Sequence, residues 1–204
     1  MAEVEKFDRG ARRKARTRKK LLEAAGTLFA KKAHEDVSIV DITEAADVGL
    51  GTFYNHFASK VELLEALADQ FLLEYAEELD ALVQDCTDPA EILCLSYRYT
   101  VRCAKDPIGW AIIRQMPQNY VRGRLEARAR GDISVGVKTG RFKVDDAEAF
   151  TKFMAYSLIG ILEGLADEAL TLEQTDSYGV YFLRLLGIDS KEAEALFAEP
   201  LPGE

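Results

Sequence analysis

The sequence predicts an all-α fold in which a small helix-turn-helix head precedes a larger helical body. Three observations predict it. Apolar residues recur every three or four positions through long segments, while period-2 alternation is scarce. Two short helical segments joined by a three-residue turn stand within residues 38–57. The positive charge is gathered at one end of a chain that is acidic overall, with 26 Lys+Arg against 35 Asp+Glu in 204 residues. A hydrophobic share of 48% excludes a wholly disordered chain.

The charge distribution divides the chain. Residues 1–60 hold 12 Lys+Arg and 9 Asp+Glu, whereas residues 61–204 hold 14 and 26. Nine of the cations fall between Lys6 and Lys20. Such an arm can neutralise phosphates and release counterions; the plainer alternative is a solvated leader. The acidic remainder reads as a solvated body with another task.

The elements follow in order. The first helix is expected from Arg13 to Lys32, with Leu21, Leu22, Ala25, Leu28 and Phe29 on its inner face. Ser38 N-caps a short helix from Ile39 to Ala46. Asp47-Val48-Gly49 turns the chain into a second short helix, Leu50 to Phe57. Ser59 and Glu62 form a capping box for the next helix, and the chain stays helical to Val83. Asp88-Pro89 restarts it, running to Lys105. Short helices are expected at Pro107–Met116 and Asn119–Arg130, and the three glycines of residues 131–143 read as a loop. Asp145 opens an apolar helix of about 25 residues at 3–4 spacing. A last long helix, Leu172 to Leu186, ends at Gly187, and residues 190–198 add a turn or two. The expected division is a helix-turn-helix head over 1–62 and a larger helical body over 63–204.

The segment 38–64 carries the chemistry. In a helix-turn-helix the second helix enters the major groove. Gly49 and Gly51 leave room for backbone to approach a phosphate, and Thr52, Tyr54, Asn55 and His56 occupy the groove-facing positions. Phe53 and Phe57 hold the other face to the core, and Lys60 lies one turn beyond, placed for a phosphate.

These residues resemble the DNA-binding domain of the TetR family, the tetracycline-repressor-like regulators. The resemblance rests on LLEAAGTLFAKK, Ser38-Ile39-x-x-Ile42, Glu44-Ala45-Ala46, Val48, and Gly51-Thr52-Phe53-Tyr54-x-His56-Phe57-x-Ser59-Lys60, about 50 residues in all. It implies a homodimeric, sequence-specific DNA-binding regulator, a repressor acting on a palindromic operator in double-stranded DNA. It implies phosphate contacts from Ser38, Tyr54, His56 and Lys60. Thr52, Asn55 and the Gly49-Leu50-Gly51 backbone would then lie nearest the base edges. Ala33, Thr43, Asp47 and Leu50 depart from the family pattern, and Leu50 stands where many members place a phosphate-binding lysine. Asp is among the few residues that tolerate the left-handed conformation a turn at 47 requires.

The last two long helices of the body resemble the family's dimerisation helices, and a stripe as wide as the one on 145–169 exceeds what one neighbour covers. The middle of the chain is where an inducer would bind. Tyr97, Tyr99, Trp110, Ile113, Arg114, Met116, Tyr120, Phe153, Met154 and Tyr156 are candidate walls for an apolar ligand, with Arg114 as partner for an acidic group. Ordinary core packing explains the same spacing. Cys94 and Cys103 lie about 13 Å apart along one helix, beyond disulfide reach. The cysteines match no zinc spacing, and both histidines fall in the head, so no metal, cofactor or catalytic set is expected. No apolar run approaches the ~20 residues of a membrane span, and the first ten residues lack an apolar leader, so the expected setting is the cytoplasm. The rival readings are a transcriptional activator, or a helical carrier or enzyme with a vestigial head, for which Asp47 and Leu50 are the only support.

Overall fold

A computed structural model describes residues 2–103 and 106–201, leaving aside the side chains of 2–9, 107, 108 and 118. Among the described residues ten α-helices follow one another: α1 (Ala2–Phe29), α2 (Ile39–Ala45), α3 (Leu50–Tyr54), α4 (Lys60–Val83), α5 (Pro89–Cys103), α6 (Pro107–Ile113), α7 (Gln118–Lys138), α8 (Ala147–Ala166), α9 (Leu172–Leu185) and α10 (Ser190–Ala198). The described residues contain no strand.

The chain divides into two compact units. The first comprises residues 1–72 and 107–116, the second 73–106 and 117–204. The expected boundary at 62 therefore shifts into the middle of α4, and α6 joins the head because it packs on α1.

In the head, α1, α2 and α3 close around Leu21, Phe29, Ile42, Phe53, Phe57 and Leu63, all essentially without solvent contact. Burying each such side chain contributes about 1.5–3 kcal/mol, which offsets the poor intrinsic stability of helices as short as α2 and α3. In the body, α7 runs along α8, and α5 packs on α7, α9 and α10.

Local chemistry explains most of the boundaries. Ser38 accepts the Asp41 N–H while the Asp41 carboxylate accepts the Ser38 N–H, a reciprocal cap. Ser59 accepts the Glu62 N–H as expected, but the Glu62 carboxylate takes the Ala58 N–H. Asp47 adopts φ 54°, and the bonds Asp47 N→Glu44 O and Val48 N→Thr43 O complete a Schellman end to α2. Asp146, rather than Asp145, caps α8, and Thr171 with Gln174 caps α9.

Four expectations need correction. α1 begins at Ala2 and ends at Phe29, so the basic arm continues the helix. α3 ends at Tyr54, and residues 55–57 leave the helix through a tight turn. The loop expected at 131–143 is helical to Lys138, with the chain turning only at Gly140, φ 74°. Each interior glycine costs about 1 kcal/mol in a helix, and tertiary packing of Ile133 and Phe142 in the core overrides it. Finally, α8 is long and apolar enough by composition alone to cross a membrane. Phe150, Met154, Leu158, Ile161 and Leu165 are buried in the body, which accounts for that composition. The end of the expected helix at Lys105 lies outside the described residues.

One ion cluster ties distant segments of the body together. The Arg141 guanidinium meets Asp88 through two bonds, Nε–Oδ1 at 2.6 Å and Nη2–Oδ2 at 2.8 Å, and also reaches Glu192. It joins the starts of α5 and α10 to the end of α7. Hydrogen bonding from Arg141 holds the Asp88 carboxyl below its ordinary pKa. A carboxylate whose pKa falls on folding stabilises above its unfolded value, and that contribution is lost as the pH drops through the folded value. Arg141→Ala is expected to cost about 1 kcal/mol at pH 7, allowing for partial exposure, and to flatten the acid limb of the stability profile below about pH 4. Urea melts at pH 7 and pH 3.5 check both; an unchanged acid limb would sink the assignment.

Candidate nucleic-acid interface and ligand cavity

The outer face of the head is built on α3. Phe53 and Phe57 point inward, their ring centroids 5.8 Å apart. The inward register sends Leu50 and Tyr54, four residues apart, to the surface, where they are 48% and 55% exposed. Gly49 N-caps α3, and Gly49, Gly51 and Asn55 are exposed beside them. A Cβ at Gly51 would meet nothing within 4 Å. The fold itself therefore has no use for glycine at this position, whereas a surface that must be approached closely does.

Cations of α1 lie beside the turn that follows α3. The Arg18 guanidinium carbon lies 4.9 Å over the Phe57 ring. Burial, then Lys14 and Arg18, push the His56 pKa below its ordinary value. Its Nδ1 is buried without a hydrogen-bond partner. The unfolded chain therefore binds a proton at His56 more readily than the folded one, so stability rises with pH through the range below about 6.5. In urea melts, His56→Gln is expected to reduce the gain in stability between pH 5.5 and pH 7.5; an equal gain in both proteins would refute it.

Two of the expected phosphate contacts have internal tasks. The Ser38 hydroxyl gives its one proton to Asp41 at 2.7 Å while accepting the Asp41 N–H. Lys60 Nζ donates to the carbonyls of His34 and Val37, fastening the start of α4 to the turn before α2. An ammonium has three donors, so one remains to Lys60 after these bonds. Thr52 and His56 are half-buried at the edge of the exposed face.

The body contains a small cavity of about 40 Å³ walled by α4, α5, α7 and α8. Leu79, Leu93, Leu125 and Leu158 make it apolar, and Tyr75, Ser96, Thr100, Arg128 and Asp132 add polar groups. The Thr100 hydroxyl donates to the Ser96 carbonyl at 2.6 Å. The 2.6 Å contact between Tyr75 Oη and Thr100 Oγ1 must then take its proton from Tyr75. Burial pushes the Tyr75 hydroxyl up to about 12, so it stays protonated. Burial likewise raises the Asp132 carboxyl, with Arg128 opposing the shift from 3.6 Å. Ser96 Oγ has no hydrogen-bond partner, and Arg128 Nε makes no hydrogen bond but pairs with the Asp132 carboxylate at 3.6 Å. Buried polar groups are nearly always paired, which sets the Ser96 hydroxyl apart among these wall residues.

The residues expected to line a pocket separate on inspection. Tyr97 and Met154 reach this cavity, although the Tyr97 hydroxyl is already bonded to the Thr175 carbonyl at 2.6 Å. Trp110, Ile113, Arg114, Met116 and Tyr120 are not among its walls. The first four belong to the head unit with α6, where Ile113 and Met116 are core and Arg114 is exposed. Tyr120 stacks beneath Arg124 at 5.6 Å. Tyr99 bonds to the Glu78 carboxylate, and Phe153 and Tyr156 are exposed. Sequence reasoning missed Tyr75, Ser96, Thr100, Arg128 and Asp132. Two signals were present, since Ser96/Thr100 and Arg128/Asp132 are each polar pairs at i,i+4 spacing on a helix.

A three-helix head with a glycine-lined, aromatic outer face, followed by a larger helical body, defines the class: a helix-turn-helix DNA-binding transcriptional regulator. Comparison with known proteins makes the family explicit. Residues 21–67 match the family of bacterial regulatory proteins called tetR, and residues 88–198 match a tetracyclin repressor-like C-terminal domain. The transcriptional repressor KstR2 of Mycolicibacterium smegmatis is 30% identical over 153 residues, covering 69% of this chain and 75% of that protein. The repressor DhaR of Mycobacterium sp. (strain GP1) is 35% identical over 75 residues, covering 37% of this chain and 36% of DhaR. The chain thus spans about a third of one such curated relative and three quarters of the other. The crystal structure of RolR in complex with resorcinol is similar over 94% of this chain and 98% of that one, with 33% identity and a TM-score of 0.73. The chain belongs to the TetR family of DNA-binding transcriptional repressors.

Proposed function

We propose that the protein is a homodimer that occupies a palindromic operator and is released from it by a small hydroxylated aromatic ligand. Each subunit presents α3 to a major groove. Tyr54, Thr52, Asn55 and the backbone at 49–51 face the bases and nearby phosphates, with Arg18, Lys14, His56 and the free donor of Lys60 around them. Ser38 acts by holding α2 in place through its cap. The exposed Leu50 and Tyr54, and a glycine the fold does not require, support this reading. Operation on DNA places the protein in the cytoplasm, and no catalytic role is assigned.

The second copy covers an apolar surface. Phe153 and Tyr156 of α8 and Tyr181 and Leu185 of α9 are each 49–60% exposed. Gly160, one turn past Tyr156 on α8, has open space where a Cβ would stand. Exposed aromatic and leucine side chains in this number on two paired helices mark an isologous four-helix interface. Sedimentation equilibrium at micromolar concentration is expected to give a dimer, and Tyr156→Glu a monomer.

The ligand reading rests on one observation, the unpartnered Ser96 hydroxyl in the same cavity as the loosely joined Arg128–Asp132 pair. A volume of about 40 Å³ is close to the ~30 Å³ share of one water and well below the ~150 Å³ of a cavity that takes benzene, so a one-ring occupant enters only by moving the walls apart and anything larger is excluded. An aromatic hydroxyl can donate to Asp132 and accept from Arg128 Nε, and a second can pair with Ser96. RolR, similar over nearly its whole length, is seen with resorcinol, a ring with two hydroxyls.

The route to the DNA is covalent. α5 and α7 wall the cavity and flank α6 in sequence, while α6 packs on α1 of the head. A ligand that resets α5 against α7 therefore pulls on α6 from both ends. By linkage, ligand and operator must weaken each other by the same factor.

The test selects an operator from a random duplex library and titrates resorcinol against the complex. A palindromic consensus is expected, with at least tenfold weaker binding at saturating resorcinol. Asp132→Leu is expected to keep operator affinity and lose the response. No palindrome would overturn the dimeric reading. A response that survives in Asp132→Leu, or none in the unaltered protein, would overturn the ligand assignment alone.

A further inference from the structure

A second, larger cavity of about 400 Å³ lies in the body between the end of α4, α5 and the segment after α10. It shares no wall residue with the first, although α5 serves both through opposite faces. Its volume falls within the range of small-molecule sites. Leu82, Leu95, Leu196 and Pro200 give it apolar walls.

Arg98 lines this cavity and is only 4% exposed. One terminal nitrogen donates to the Glu199 carbonyl at 2.6 Å. Its Nε is buried with no partner. The Phe197 ring lies 6.0 Å from the guanidinium carbon. Among the described residues no carboxylate stands within ion-pair distance of it. A guanidinium keeps its charge at any physiological pH, and a buried charge without a counter-ion is costly. An anionic group that enters the cavity can supply the close counter-charge. Arginine's planar fork suits a carboxylate, which can take Nε and a terminal nitrogen together.

The surrounding charges narrow the choice. Asp85, Glu91 and Glu199 also border the cavity. They repel a dianion such as phosphate more strongly than a single negative charge. We infer that this cavity is a second ligand site, which takes a small monocarboxylate with its carboxylate on Arg98 and its apolar portion against Leu82, Leu95 and Leu196. The site is independent of the hydroxylated-aromatic cavity, and neither assignment requires the other.

Cys86 is a built-in reporter, since it is half-buried in this cavity's wall, whereas the equally half-buried Cys103 is not a wall residue. The experiment follows iodoacetamide alkylation of each cysteine in the full chain by peptide mass spectrometry, with benzoate as the probe. Saturating benzoate is expected to slow alkylation of Cys86 at least fivefold and leave Cys103 unchanged. Its neutral isostere benzamide should give no protection, and inorganic phosphate less than benzoate. Arg98→Gln should abolish the protection. Because that change also removes a buried side chain, Leu95→Trp provides a second variant that fills the cavity and leaves the guanidinium in place; it too should abolish protection. Equal protection by benzamide or by phosphate, benzoate protection that persists in either variant, or none at 10 mM benzoate on the order of a weak ligand's range would overturn the inference.

Discussion

Gly51→Leu is expected to abolish operator binding while leaving the protein as stable as before, or more so. Gly51 lies in the first turn of α3, exposed, with open space at the position of a Cβ. Within the protein, a leucine there relieves the entropic cost of a helical glycine, about 0.5–1 kcal/mol. Toward DNA, the same side chain stands between Leu50 and Tyr54 on the face proposed to enter the groove and holds α3 off the phosphates. A loss of at least about 100-fold in operator affinity is expected, which is about 2.8 kcal/mol. Thermal melting and a binding titration at fixed salt separate the two effects. Undiminished binding would remove α3 from the interface; a drop in melting temperature would mean that the outer face of α3 is occupied within the protein.

The second large effect concerns stability and falls on two glycines of α7. A Cβ at Gly136 would come within 2.0–2.7 Å of three ring atoms of Phe142. Phe142 is 3% exposed, and its N–H is tied to the Gly136 carbonyl at 2.9 Å, so the ring has nowhere to retreat. Gly136→Ala is therefore an overpacking substitution, costing about 2–3 kcal/mol. For a chain of this size that lowers the melting temperature by about 4–12 °C. Gly131, on the same helix, would place its Cβ in open space. Gly131→Ala is expected to raise stability by about 0.5–1 kcal/mol. Opposite signs for one chemical change five residues apart follow only from the helix continuing through both. Equal effects would return this stretch to a loop.

The paired glycines show where sequence reading stops. Residues 131–143 read as a loop because three glycines in thirteen positions lower helix propensity. Propensity is a weak prior that packing overrides, and the packing partner, Phe142, announces itself only once the chain has folded back. The same holds for the first cavity. Arg128 and Asp132 lie on an arginine-rich helix, where i,i+4 ion pairs are the ordinary surface pattern. What makes them cavity walls is that α7 turns them toward Tyr75 of α4 and Ser96 and Thr100 of α5. Conversely, Trp110, Ile113 and Met116 looked like pocket walls because aromatic and apolar residues at helical spacing suit a pocket and a core equally, and α6 joined the head.

The head was legible because its determinants are local. Ser38 caps α2 through Asp41 three residues on, Asp47 takes the left-handed turn within the same motif, and Phe53 and Phe57 set which face of α3 turns outward. Each of these is a contact within about five residues, so the order of residue types by itself determined the helix-turn-helix, its exposed face and the all-helical class. Which polar side chains of the body were left without partners, and that Arg98 was left without a counter-ion, depended on helices tens of residues apart in sequence meeting face to face. Burial and pairing are properties of that meeting, and only the tertiary structure decided them.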